Sequence, residues 1–88
     1  MKFYQLNALV AVADAGSIRG AAKRLDTSPA AVTKAIQKLE ADTATQLLIR
    51  NTSGIVFTEL GKKLLIQARL LVAQMLNARQ VLADSNGE

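Results

Sequence analysis

Ala30, Thr33, Lys34 and Gln37 stand at i, i+3, i+4 and i+7, so in a helix they share one face. Their side chains are a methyl, a hydroxyl, an ammonium and a carboxamide. This set can attract negative charge and exchange hydrogen bonds with base edges, and from Thr27 onward no acid occurs before Glu40. Val32, Ile36 and Leu39 fall on a narrow apolar face opposite. A helix that only walls a small core more usually alternates charges on its outside. The pattern points to the recognition helix of a helix-turn-helix, over about residues 28–41, lying against a polyanion. On this reading Lys34 meets a guanine edge or a phosphate, Thr33 and Ala30 meet a thymine methyl, and Gln37 meets adenine or a phosphate.

Other chemistry is largely closed to this chain. It has no histidine and no cysteine, which removes disulfides, thiolate metal sites, nucleophilic cysteine and histidine acid–base catalysis. There is no glycine-rich phosphate loop and no pair of carboxylates on one face. No enzyme activity, metal or cofactor is expected. No run is long enough to span a bilayer and the start lacks a signal-peptide pattern, so a cytoplasmic protein without a membrane partner is expected. The net charge is +4, and residues 1–63 carry nine of the eleven basic residues against five acids. That imbalance favours an acidic partner.

The elements that would position the polar face follow from the same row of residues. With 88 residues, 50% hydrophobic and 3% aromatic, the chain suits one small domain with a Leu, Ile, Val and Ala core of close-packed helices. Phe3, Leu6, Leu9, Val10 and Ala13 recur at helical spacing and Gly16 follows, predicting a helix over 3–15. Ser17 is placed to cap a second helix, 18–25, whose Ile18, Ala21, Ala22 and Leu25 face inward and whose Arg19, Lys23 and Arg24 stay outside. Asp26-Thr27 breaks it. Ser28-Pro29 marks the next start, since serine caps well and proline suits the first helical position. A link of about three residues fits an angled helix-turn-helix. The third helix is expected to end soon after Glu40, as the pattern loosens through Ala41–Thr45.

Residues 46–50 and 55–58 are β-prone and separated by Asn51-Thr52-Ser53-Gly54, which predicts a hairpin packed on the helices. Thr58 then caps a long helix over 59–84, roughly 39 Å at 1.5 Å per residue. Its Leu64, Ala68, Leu71, Met75, Ala78 and Leu82 repeat at 4-3-4-3-4, and Leu65, Val72 and Leu76 widen the stripe. A rod of that length projects from so small a globule, and its apolar stripe needs a partner. A homodimer is the simplest one; burial on a second domain is the rival. The expected architecture is therefore mainly α with a small β-hairpin: a winged helix-turn-helix at 1–58, a dimerisation helix at 59–84, and a frayed tail or cut end at 85–88.

The order of these pieces resembles the N-terminal region of LysR-type transcriptional regulators. The matching features are Phe3, Leu6, Leu9 and the run Val12–Ser17, then Ala21–Leu25, then Ser28 with Ala31–Ile36 and Leu39-Glu40, then Leu47–Arg50 and Thr58–Gly61. Each is weak alone; their joint order is specific. The resemblance implies a domain that binds an inverted-repeat operator as a dimer through its linker helix. It carries base or groove contacts onto Ser28, Pro29, Ala30, Thr33 and Lys34, beside Gln37 from the helix face itself. Arg50 matches a family position before the wing, at 50–55, whose tip contacts the minor groove or backbone. Phosphate contacts are then expected from Ser17, Arg19, Lys38, Arg50, Thr52, Ser53 and Lys62. Four departures stand out: Pro29 in place of a glutamine, no Arg or Lys at the wing tip, Thr43-Ala44 in place of Leu-Gly, and Leu48 in place of a phenylalanine. Members also carry a C-terminal effector-sensing domain, so this chain is expected to be the DNA-binding region of a longer one. Any effector would act through that missing domain, and a full-length protein could be a tetramer. The competing reading is a helical dimerisation or adaptor module that binds no DNA.

Overall fold

Three left-handed residues and three hydroxyl caps divide the chain into its helices. The first, α1 (Phe3–Ala15), stops at Gly16, whose φ of 76° suits glycine and whose N–H reaches the Val12 carbonyl at 2.9 Å. Ser17 begins α2 (Ile18–Arg24) by accepting the Gly20 N–H at 3.0 Å. Asp26, at φ 54°, then turns the chain; a short polar side chain tolerates that conformation. Ser28 accepts the Ala31 N–H at 3.1 Å and Pro29 occupies the first turn of α3 (Pro29–Thr43). The computed structural model describes residues 1–86.

Helix α3 continues past its expected end near residue 41. Ala41 and Asp42 remain helical, and the stop is Ala44, which takes the left-handed cap conformation at φ 51°. The Thr45 N–H closes back on the Glu40 carbonyl at 3.0 Å, and the Thr43 hydroxyl donates to the Leu39 carbonyl at 2.8 Å. An alanine thus does here what glycine usually does.

The hairpin is tighter than its spacer suggested. Strands β1 (Leu48–Asn51) and β2 (Gly54–Phe57) pair antiparallel, with Leu48 opposite Phe57 and Asn51 opposite Gly54. Only Thr52-Ser53 form the loop, and the Asn51 side chain accepts the Ser53 N–H at 2.9 Å. Leu47 stays outside the strand and is fully buried.

Thr58 caps α4 (Glu59–Asn86): its hydroxyl oxygen accepts the Gly61 N–H at 2.9 Å and its proton goes to the Gln46 carbonyl at 2.8 Å. Gly61 lies against Leu47 so closely that a Cβ there would run into the Leu47 carbonyl. The helix passes the expected end at Asp84 to include Ser85 and Asn86; Gly87 and Glu88 of the expected tail lie outside the described residues.

Helix α4 lies back along α1. Arg69 pairs with Asp14 at 2.8 Å, and Arg79 sits 5.9 Å from the Phe3 ring centre, so the two helices run in opposite directions. This corrects part of the predicted dimer stripe. Ala68 is fully buried and Leu64 and Val72 pack against the same core, because this part of the stripe covers α1. Leu71, Met75, Ala78 and Leu82 remain exposed. The core beneath joins Leu6, Leu9 and Val12 of α1, Ala21 and Ala22 of α2, Val32, Ile36 and Leu39 of α3, and Leu47. The long axis measures 51 Å and the radius of gyration 14.1 Å, above the roughly 12 Å of a compact chain this long. Helix α4 accounts for the excess.

Candidate nucleic-acid interface

The apolar side of α3 is held by α1 and α2, which leaves Ala30, Lys34, Gln37 and Lys38 exposed together. Thr33 differs from its expected place: it is half-buried, because Arg50 of β1 donates from Nη2 to its Oγ1 at 2.7 Å. Thr33, Gln37 and Arg50 line one cleft with Ile18, Ile36, Glu40 and Leu48. The hairpin therefore stands directly beside the polar face of α3.

A second cleft opens between the starts of α2 and α3. Ser17, Arg19, Lys23, Thr27 and Pro29 line it, so α2 with its cap and the start of α3 converge. Thr27 escaped the sequence reading, although its place immediately before the Ser28 cap was a usable signal. The oxygens of Ser17 and Ser28 are each engaged with a backbone N–H of their own helix. Their hydroxyl protons are still available to an outside acceptor.

The remaining candidates lie apart from this group. Thr52 and Ser53 form the exposed hairpin tip. Lys62 lines a third hollow with Gly16, Ile55 and Arg69, and its ammonium is 3.3 Å from Glu59. Arg24 turns away, reaching the Asp14 carbonyl at 3.4 Å.

Two acids of α3 would oppose an anion, the half-buried Glu40 and the exposed Asp42, and each accepts hydrogen bonds from the rest of the domain. Glu40 accepts the Leu47 and Leu48 N–H groups at 2.7 and 3.3 Å, which ties the end of α3 to the start of the hairpin. Asp42 accepts from Nε2 of the buried Gln5 at 3.3 Å. Gln5 also receives the Lys2 N–H at 2.9 Å; neither contact was apparent in the sequence. Among the described residues no cluster of three or more acids could hold a metal ion, and no helix is long and apolar enough to cross a membrane.

An angled helix pair, an exposed polar face on its second helix and an adjoining hairpin define a winged helix-turn-helix. The model of the bacterial regulatory helix-turn-helix proteins of the lysR family matches residues 3–62. The chain belongs to that family. It is 43% identical over 72 residues to the HTH-type transcriptional regulator TcbR of a Pseudomonas species, covering 82% of this chain and 24% of that protein. It is 38% identical over 89 residues to the HTH-type transcriptional regulator TfdT of Cupriavidus pinatubonensis, covering 100% of this chain and 39% of that one. The chain thus spans well under half the length of these relatives. Among solved structures, the crystal structure of a CbnR_DBD-DNA complex superposes with a TM-score of 0.79 at 41% identity, covering 96% of this chain and 99% of that chain.

Proposed function

We propose that this chain is a sequence-specific double-stranded DNA-binding module of a transcriptional regulator. It acts as a homodimer on an inverted repeat, with α3 in the major groove and the hairpin beside it. The observation that carries this reading is the outer face of α3, free of acids from residue 30 to residue 38, with Ala30, Lys34, Gln37 and Lys38 exposed and Arg50 standing over Thr33. The similarity to a DNA-bound CbnR domain supports it. Ser28, Pro29, Ala30, Thr33, Lys34 and Gln37 address the groove; Ser17, Arg19, Lys38, Arg50 and the Thr52-Ser53 tip address phosphates, and Lys62 does so on leaving Glu59. The chain performs no catalysis, needs no cofactor and works in the cytoplasm, where its DNA is.

The symmetry mate is supplied through α4. Leu71 and Leu82 are 51% and 66% exposed, and with Met75 and Ala78 they lie on one side of the helix at i, i+4, i+7 and i+11. Two copies joined there would present two α3 helices about one turn of DNA apart, or a multiple of it.

The test is titration of inverted-repeat duplexes, recovered from a random pool, at several salt concentrations. Affinity should fall on the order of 0.9 log units per log unit of salt for each phosphate neutralised. Binding indifferent to both salt and sequence sinks the reading. The exposed apolar side of α4 also fits an adaptor module, and a dimer that never shifts on gel filtration with DNA would favour that second reading.

A further inference from the structure

The geometry points to Arg50 as the residue that fixes which way the Thr33 hydroxyl faces the DNA, making Thr33 a donor to the base it meets. This inference rests on the DNA-binding reading above and concerns one base pair within it. The guanidinium of Arg50 carries only donors, so in the 2.7 Å bond from Nη2 the Thr33 oxygen accepts. At that length the bond is a charge-assisted one. A hydroxyl has one proton, and on the same helix Thr43 gives its own to the carbonyl four residues back. Thr33 has no such bond among the described residues, so its proton is free for an outside acceptor.

Accepting from a cation polarises the O–H bond and strengthens it as a donor. A base that itself donates would have to bring its hydrogen to an oxygen already facing a positive charge. In the major groove the acceptors are guanine N7 and O6, adenine N7 and thymine O4; the donors are cytosine N4 and adenine N6. An unconstrained threonine serves either kind. Thr33 held by Arg50 selects guanine or thymine against cytosine. The remaining N–H groups of the planar fork stay available to a phosphate, so backbone position and base choice are linked through one side chain.

The experiment measures affinity of the whole chain for a pool-selected duplex in which each base pair is varied in turn. Thr33→Val identifies the pair it reads, where the preference should flatten, and Thr33→Ser should retain the preference. At that pair the unaltered chain should favour guanine or thymine over cytosine by roughly five- to tenfold, as one hydrogen bond allows. Arg50→Gln replaces a pure donor by a carboxamide that donates and accepts, so the preference there should fall to about twofold or less while other pairs keep theirs. Adding Thr33→Val to Arg50→Gln should change that pair no further. Arg50 is exposed, and far-UV circular dichroism checks that the variants fold. The inference is overturned if Arg50→Gln weakens every duplex equally with the preference intact, or if Thr33→Val flattens no pair. Absence of sequence-dependent binding by the unaltered chain would instead overturn the DNA-binding reading beneath it.

Discussion

At the scale of single residues, the consequential contacts join positions far apart in sequence. Gly61 shows this most sharply, because its missing side chain lets α4 pass the Leu47 carbonyl. That carbonyl accepts the Thr58 N–H at 3.0 Å and cannot easily retreat. Gly61→Ala should therefore destabilise the fold by about 2–3 kcal/mol, a fall of roughly 10–20 °C in the thermal midpoint. An unchanged midpoint in calorimetry would contradict the close approach. Residue types were legible in the sequence here, but partners were not. Thr33 and Lys34 could be assigned to the outer face of a helix, yet nothing local showed Arg50 bending over Thr33, seventeen positions away. Gln5 is the stronger case: a polar residue in an apolar helix reads as surface, and it is buried because Asp42 and the Lys2 backbone satisfy it.

At the scale of elements, periodicity and caps located every helix and the hairpin, because Ser17, Ser28, Thr58 and Gly16 act within a few residues of themselves. The errors fall where a tertiary contact decides the boundary. Helix α3 runs on to Thr43 because Glu40 holds the chain that follows it, not because residues 41–43 announce themselves. Ala44 then bears a left-handed conformation that costs an L-residue about 1–2 kcal/mol. Replacing Ala44 with Gly should stabilise the domain by about 1 kcal/mol, raising the midpoint by roughly 4–8 °C in a thermal melt. A lower midpoint would place the helix stop elsewhere. Similarly, Asn51 and Gly54 look like spacer by composition but belong to the ladder, since a loop of two residues suffices.

At the scale of the whole molecule, the stripe on α4 divides into a part that packs on the core and a part that stays exposed. Its strict spacing showed that one side of the helix is apolar, and spacing cannot say what covers it. Leu64, Ala68 and Val72 pack on the core, leaving Leu71, Met75, Ala78 and Leu82 exposed and open to the second copy proposed above. The paired change Leu71→Glu with Leu82→Glu should yield a folded monomer in analytical ultracentrifugation that still recognises a half-site but loses its advantage on the inverted repeat. A persistent dimer would move the interface elsewhere. The Glu40 carboxylate has a consequence at this scale too. By holding the Leu47 and Leu48 N–H groups, it ties α3 to the hairpin, and in the proposed complex the two would meet the groove as one stiff head. A head that does not flex cannot follow variations in groove width, so the duplex must bend or narrow to meet both parts. Base pairs that no side chain touches would then be selected by how readily they deform.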